Sequence, residues 1–192
     1  MYDLDSWKNK KVFDSQLDLN LKELKEESTY PAHWLDNIKF ISEYSPRSIL
    51  DVGCGCGSFI EVCKRKFPEM EYFGIDYATE AIELATSTWG NSFEVLDYKG
   101  LTKEIVQQYD LVYLSALLDV LPDANEAFKF MLSLDAPQLL VSRVKLSNEP
   151  NMYQQYRVYD AITTYAYQHN RIEFFNTIKS YGYSVEGRND NF

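Results

Sequence analysis

The segment Asp51-Val52-Gly53-Cys54-Gly55-Cys56-Gly57 places three glycines at alternate positions, directly after the short strand-like segment 48–52. Glycine adopts positive φ values and allows close backbone approach, because it has no Cβ atom. A loop of this kind after a buried strand brings backbone N–H groups to the mouth of a sheet. The pattern therefore predicts a strand, turn and helix with a ligand site at the turn; a plain tight turn is the alternative.

Strand-like and helix-like segments alternate along the chain from this point. Strands are predicted at 48–52, 72–75, 93–96, 111–114 and 138–144, and helices at 59–67, 79–88, 102–108 and 124–132. Regular alternation of this kind is typical of an α/β fold with right-handed crossovers. We predict a doubly wound, mostly parallel, Rossmann-like sheet.

Two details of the loop bear on the ligand. The dinucleotide fingerprint G-x-G-x-x-G would need its third glycine where Ser58 stands, and the acid Asp51 lies two positions before Gly53. A carboxylate repels a pyrophosphate but attracts a sulfonium ligand with a free amine. Asp76 ends the second predicted strand, where doubly wound folds bind ribose hydroxyls. The pattern favours S-adenosylmethionine, with a nicotinamide-dependent reductase as an alternative.

Four motifs in order resemble those of class I S-adenosylmethionine-dependent methyltransferases, over about residues 48–144. They are Ile49 to Gly57, Gly74-Ile75-Asp76, Leu96-Asp97-Tyr98, and Tyr109 to Val112 with Leu118 to Asp123. In the tail, the segment 170–175 followed by Gly182-Tyr183 is similar to a group of small methyltransferases. The resemblance implies a cofactor site made by Asp51, Gly53, Cys54, Gly55, Gly57, Asp76, Tyr77, Asp97, Tyr98 and Ser115. Within that site, the acid of the third motif, Asp97, is expected to reach the adenine amine.

The length of 192 residues suits one domain. We expect an N-terminal helical cover at 1–45, a cofactor-binding core at 46–146, and a substrate-side insertion with a C-terminal αβ unit at 147–192. In the last part we predict a helix at 171–181 and a strand at 183–187. The tyrosine-rich segment 153–167 is ambiguous; a further sheet strand either lies between Tyr153 and Asp160 or is lacking.

The candidates for catalysis are fewer. Many relatives carry a Glu-His pair where this chain has Asp119-Val120, so a histidine base is absent from that position. His169 is the better candidate base of the two histidines, because substrate contacts in this fold usually follow the fifth strand; a surface or capping role is the alternative. Asp119 either contacts substrate or simply begins a loop. Four aromatic residues either form a wall over a substrate pocket or simply pack in the core or on the surface: Trp7, Trp34, Tyr156 and Tyr159.

Composition excludes several partners. A net charge of −10 repels a phosphate backbone, so nucleic acid is not expected as a substrate. The longest apolar runs, such as 111–118, are too short to span a bilayer, and residues 1–5 carry acids where a signal peptide is basic. We expect a cytoplasmic chain without membrane association. We also expect no metal, because no ligand cluster has metal spacing.

What remains is methylation of a small-molecule acceptor at a hydroxyl or amine, for example on a sugar. A non-catalytic methyltransferase-like binding or partner subunit is the alternative, because the Glu-His pair is missing and the C-terminus is short.

Overall fold

The computed structural model describes residues 7–158 and 162–187. The helices are α1 (Lys10–Glu23), α2 (Ala32–Tyr44), α3 (Phe59–Lys66), α4 (Thr79–Trp89), α5 (Lys103–Val106), α6 (Ala124–Ser133) and α7 (Arg171–Ser180). The strands are β1 (Ser48–Val52), β2 (Glu71–Asp76), β3 (Phe93–Val95), β4 (Leu111–Ser115), β5 (Leu139–Ser142), β6 (Lys145–Ser147), β7 (Met152–Val158) and β8 (Ile162–Asn170). Tyr159 and the ends of the predicted cover and C-terminal unit lie outside the described ranges.

The central sheet is parallel throughout and has the strand order β3-β2-β1-β4-β5. The chain runs outward from β1 to β3 and then returns to the other side of β1 for β4. This reversal is the topological switch of a doubly wound fold, and it opens a crevice beyond the carboxyl ends of β1 and β4. The predicted fold class is confirmed.

Both faces of the sheet are covered, and β1 shows how. Leu50 and Val52 pack into the cluster that includes Phe128 and Met131 of α6, whereas Ile49 packs with residues of α2 and α3 on the other side. Because side chains alternate along a strand, an apolar strand of this kind is buried on both faces. The packing holds the carboxyl end of β1 at a fixed place for the glycine loop.

The first two helices occupy the predicted N-terminal cover. Asn9 caps α1, its side chain accepting from the Lys11 backbone N–H at 3.0 Å, as N-cap asparagine commonly does. Phe13 of α1 packs against Ala78 and Ala81 at the start of α4. Helix α1 thereby lies beside the carboxyl ends of the strands. The functional division of the chain into three segments stays a prediction.

The C-terminal third differs from the sequence-based prediction. The predicted strand at 183–187 is wrong: after Gly182 (φ +84°) this segment pairs with no strand. Tyr183 instead donates its hydroxyl to the Ala136 carbonyl oxygen at 3.1 Å, so a side chain, not a backbone ladder, attaches the segment to the sheet. The strand β7 does lie between Tyr153 and Asp160, but it belongs to a second sheet with the order β6-β8-β7.

Helix α7 joins this second sheet to the main core. Phe174 stacks on Phe128 of α6, with ring centroids 4.3 Å apart and planes 7° from parallel. Aromatic pairs of this kind stabilise beyond the area they bury. In the described part of the chain, no helix is long and apolar enough to cross a membrane.

We expect Phe174→Ala to lower the free energy of unfolding by about 3–5 kcal/mol, because it removes a buried ring and leaves a cavity. Urea denaturation followed by circular dichroism measures this. Ile172→Ala is the matched control on the same helix, since Ile172 is 68% exposed, and it should change stability by about 0.5 kcal/mol or less. Equal effects of the two substitutions would contradict the packing described.

Candidate active site

A cavity of about 390 Å³ lies at the carboxyl ends of the central strands, where the strand order reverses. In open α/β sheets this is the place where ligands bind. The predicted cofactor residues on its wall are Gly53, Gly55, Asp76, Tyr77, Asp97, Tyr98 and Ser115. The wall also includes Trp7, Phe13, Gln16, Leu117, Asp119, Arg143 and Arg157. The topology thus brings most of the sequence-predicted site together.

The glycine loop has the backbone that its sequence requires. Gly53, Gly55 and Gly57 have φ values of +77°, +56° and +71°, a region that other residues rarely adopt. A Cβ atom on Gly55 would lie 2.8 Å from Oε1 of Gln16, and one on Gly53 would lie 2.9 Å from Cδ1 of Leu117. Glycine is therefore required at these positions for the turn, whereas the atoms that a Cβ would meet are the ends of flexible side chains.

Asp76 connects the loop to the neighbouring elements. Its carboxylate accepts from the backbone N–H of Gly55 and of Ala78, each at 2.9 Å, while the residue lines the cavity. Burial raises the pKa of this carboxyl, and the backbone donors act in the opposite direction. The backbone of Tyr77 is a third donor, and because a carboxylate offers about four lone-pair positions, acceptor capacity for a ligand hydroxyl remains.

The adenine side of the predicted site is more open. Asp97 is exposed, and its Oδ1 accepts from the Lys99 backbone N–H at 2.9 Å, which caps the short 3-10 turn Tyr98–Gly100. Tyr98 is buried and directs its hydroxyl to Oδ1 of Asp123 at 3.4 Å. These contacts fix the turn that forms one wall of the cavity. The carboxylate of Asp97 retains acceptor positions toward solvent.

Three of the predicted cofactor residues do not line the cavity. Asp51 is buried, and its Oδ2 accepts from the Tyr72 hydroxyl at 2.5 Å. Gly57 faces the ring of Phe93, which an added Cβ would meet at 2.5 Å. The Sγ of Cys54 lies beside Gly74. These residues shape the loop from the inner side, and a direct role for them in ligand contact stays a prediction.

Burial raises the pKa of Asp51 from 3.8 to about 7; the Tyr72 hydrogen bond lowers it and the charge of Asp76 raises it further. With a pKa near neutrality, the ionisation of Asp51 is sensitive to nearby charge, because each pKa unit corresponds to about 1.4 kcal/mol of difference in interaction between the two protonation states. A cationic ligand in the adjoining cavity would favour the ionised form.

Asp119 follows β4 and lines the same cavity. Its Oδ1 is shielded from solvent and, in the part of the chain that the structure describes, has no hydrogen-bond partner. Burial raises its pKa to about 7, while the positive charge of Arg143 acts to lower it. A buried acceptor without a donor is costly unless a ligand supplies one. This makes Asp119 a candidate contact for an acceptor molecule.

The geometry does not support His169 as a base. The residue is 1% exposed and is not among the cavity-lining side chains. Its Nδ1 and Nε2 lie 3.1 Å from Oδ1 of Asn125 and 3.2 Å from the Leu118 carbonyl oxygen. Burial lowers its pKa to about 4. His169 instead packs β8 against the loop after β4, and neither the predicted catalytic role nor a surface role fits this place.

The predicted aromatic wall is only partly formed. Trp7 lines the cavity, whereas Trp34 is 5% exposed and packs against Phe59 in the core. Tyr159 and the side chain of Tyr156 lie outside what the structure describes.

Sequence reasoning missed Gln16, Arg143 and Arg157. Gln16 is a polar residue on the covered side of α1 whose Oε1 accepts from the Cys56 N–H at 3.4 Å. Arg143 follows immediately after β5, and charged residues at the carboxyl ends of parallel strands are typical of binding sites. That position was the available signal. Arg157 lies in the tyrosine-rich segment, whose strand pairing was not evident.

The fold, the glycine loop and the acid at the end of β2 together define a class I, Rossmann-like methyltransferase. Comparison with known proteins gives the family. The family model described as "Methyltransferase domain" matches residues 27–178. The chain therefore belongs to that family, and the predicted resemblance to S-adenosylmethionine-dependent class I methyltransferases is confirmed.

Individual relatives are more distant. Trans-aconitate 2-methyltransferase of Yersinia pestis (strain Pestoides F) is 30% identical over 118 residues, 61% of this chain and 44% of that protein. The chain thus aligns with less than half the length of this relative. The N-terminal domain of EvdMO1, solved with S-adenosylhomocysteine bound, has a TM-score of 0.58 at 14% identity. The alignment covers 82% of this chain and 75% of the EvdMO1 chain.

A third neighbour is the Burkholderia thailandensis 1,6-didemethyltoxoflavin-N1-methyltransferase, solved with 1,6-didemethyltoxoflavin and S-adenosylhomocysteine. It has a TM-score of 0.57 at 16% identity, and the alignment covers 92% of this chain and 79% of the Burkholderia chain. Both structural likenesses concern the fold.

We expect Asp51→Asn to gain stability relative to the wild type as pH rises. A carboxyl whose folded pKa lies above its unfolded value binds a proton on folding between about pH 4 and 7, so its contribution to stability falls through that window. Asparagine lacks this titration. The difference in unfolding free energy between variant and wild type should therefore grow by about 1–3 kcal/mol from pH 5 to pH 8.

Urea denaturation at the two pH values measures this difference. Asp14→Asn, at a half-exposed acid of α1 paired with Lys10, is the control and should show no comparable growth. A constant gap for Asp51→Asn would mean that Asp51 is ionised normally in the folded protein.

Proposed function

We propose that the chain binds S-adenosylmethionine in the 390 Å³ cavity and transfers its methyl group to a hydroxyl or amine of a small molecule. One observation carries the proposal. The glycine loop and Asp76 form one side of the cavity, and Asp119, whose Oδ1 has no partner in the described part of the chain, faces the same space. A cofactor half and an acceptor half thus adjoin.

The residues present fit the cofactor. Gly53 and Gly55 leave room for close backbone approach, Asp76 has acceptor capacity for ribose hydroxyls, and Asp97 has it for an adenine amine. Tyr77, Tyr98 and Ser115 complete this side of the wall. The neighbours solved with S-adenosylhomocysteine support the assignment, as far as a shared fold can.

When bound, S-adenosylmethionine supplies a methyl group that leaves with no electrons of the S–C bond, so the acceptor provides the electron pair and must lose a proton. We assign that proton to Oδ1 of Asp119, because this buried oxygen has no hydrogen-bond partner in the described part of the chain. A base in this role contributes roughly 10²–10⁴-fold. With its pKa raised to about 7, the carboxylate is largely ionised above neutrality and is a better base than an ordinary aspartate.

The first experiment is isothermal titration of the protein with S-adenosylhomocysteine, with NADH as the control ligand. We expect micromolar binding of S-adenosylhomocysteine alone. Asp76→Asn should weaken it by about 1.5–3 kcal/mol, roughly 10- to 150-fold, because a charge-assisted bond to the ribose is lost. Glu126→Gln, at an exposed acid of α6, is the matched control and should bind as the wild type does.

Unchanged affinity in Asp76→Asn would contradict the placement of the ribose. Binding of NADH in preference to S-adenosylhomocysteine would contradict the proposal as a whole and favour a reductase.

We expect the methyl-transfer rate of the wild type to rise with pH through about 7 and then level, because Asp119 must be ionised to accept the proton. Asp119→Asn should lower kcat by about 10²-fold or more and lose this inflection. The pH–rate profile, taken with an acceptor found by turnover screening, measures both. An inflection retained in Asp119→Asn would assign the titration to another group.

A non-catalytic methyltransferase-like module is the second candidate. It is favoured by the Asp119-Val120 sequence at a position where relatives carry Glu-His and by the burial of His169. Tight S-adenosylhomocysteine binding, with no acceptor methylated across a broad screen of hydroxyl and amine compounds, would support it.

A further inference from the structure

Arg143 occupies a constrained position on the cavity wall. It follows directly after β5 and has a φ of +61°, a backbone conformation that residues other than glycine rarely adopt. Ala116, the residue after the neighbouring strand β4, has a φ of +54° and donates its N–H to the Ser142 carbonyl oxygen at 3.0 Å. The two strand ends thus turn together, and their pairing holds Arg143 at the cavity.

Among the described residues, Arg143 forms no ion pair with an acid. In residues 7–158 and 162–187, no carboxylate oxygen lies within 4 Å of its guanidinium nitrogens, although the chain as a whole has a net charge of −10. Arg47 and Arg65, by contrast, pair with Asp110 and Glu61 at 3.2 and 2.8 Å. The guanidinium therefore has its donors available to a ligand.

The charge of Arg143 nevertheless contributes to the pKa shifts of two titratable groups, Asp119 and His33. Arg143 acts to lower the pKa of Asp119 against the effect of burial, and together with burial it lowers the pKa of His33 to about 4. Arg157, on β7 of the second sheet, lines the same cavity. Two arginines from different sheets thus border the space next to Asp119.

The sheet order separates these arginines from the cofactor half. The glycine loop and Asp76 follow β1 and β2, whereas Arg143 follows β5, which is two strands from β1 on the other side. Neighbouring strands are about 4.8 Å apart, so the ends of β1 and β5 are separated by roughly 10 Å. An anionic group bound by Arg143 is therefore expected on the acceptor and not on the amino-acid part of the cofactor.

We propose that the acceptor is a small hydroxy or amino acid whose carboxylate is bound by Arg143 while its hydroxyl or amine faces Asp119. This inference rests on the proposed function and names its substrate class. The planar guanidinium fork matches a carboxylate through two parallel N–H···O bonds, which fixes orientation as well as position. Asp119 repels a second anion placed directly on it, so the end of the molecule that carries no negative charge is the end that fits there.

The test uses the protein saturated with S-adenosylhomocysteine. Citrate, 2-aminobenzoate, salicylate and 4-hydroxybenzoate are titrated by calorimetry, each against its amide, with inorganic phosphate as a further probe. We expect at least one acid to bind at least tenfold more tightly than its amide and than phosphate. Arg143→Gln should weaken the binding of that acid tenfold or more and leave the affinity for S-adenosylhomocysteine within twofold of the wild type. Arg143→Lys should retain part of the affinity for the acid.

Arg47→Gln is the matched control, since Arg47 lies on the surface away from the cavity, and it should bind the acid as the wild type does. Thermal melts of the variants identify any that fail to fold. Three results would overturn the inference: none of the acids binds better than its amide; Arg143→Gln weakens S-adenosylhomocysteine instead, which assigns the arginine to the carboxylate of the cofactor; or phosphate alone binds in an Arg143-dependent way.

A protein that binds S-adenosylhomocysteine but none of the acids would refute the acid-acceptor class and leave the proposed function standing. Failure to bind S-adenosylhomocysteine at all would refute the proposed function itself.

Discussion

The carboxylate of Asp76 is the interaction on which the site depends. It accepts the N–H of Gly55 and the N–H of Ala78, so one side chain joins the end of β2 to the glycine loop and to the start of α4. The N–H groups of Gly53 and Cys54 add two bonds to the Ile75 carbonyl oxygen, at 2.8 and 3.0 Å. The loop is thereby held in place before any ligand arrives, and preorganisation of this kind reduces the cost of binding.

The site concentrates negative charge in a buried place. Asp51, Asp76 and Asp119 all have pKa values raised by burial. Holding these carboxylates away from water costs stability, and a cationic ligand would offset part of that cost through electrostatic attraction. A sulfonium cofactor fits such a cavity better than an anionic one, so the electrostatics agree with the class to which the chain belongs. Arg143 provides positive charge on the other side, where the acceptor is proposed to bind.

How far the sequence predicts the structure varies along the chain. The glycine loop, Asp76 and the five central strands could be predicted, because each depends on local constraints: positive φ values, short strand-length segments that are mostly apolar, and breaks at turns. The second sheet could not, because β6 pairs with β8 across 23 residues, from Lys145 to Gln168, and the segment 153–167, which holds most of the hairpin of β7 and β8, shows no clean periodicity. The burial of His169 was not evident from the sequence either, since its ring nitrogens face Asn125 and the Leu118 carbonyl oxygen, which lie 44 and 51 residues away along the chain. The position of Arg143 depends on the order of strands, which composition does not reveal.

The most direct test of this account is a crystal structure of the protein with S-adenosylhomocysteine. The account predicts ribose hydroxyls within hydrogen-bond distance of the Asp76 carboxylate, the amino-acid part over Gly53 and Gly55, and open space between the sulfur, Asp119 and Arg143 for an acceptor. A ribose bound elsewhere, or a sulfur that faces away from Asp119, would contradict the assignment of the cofactor and acceptor halves.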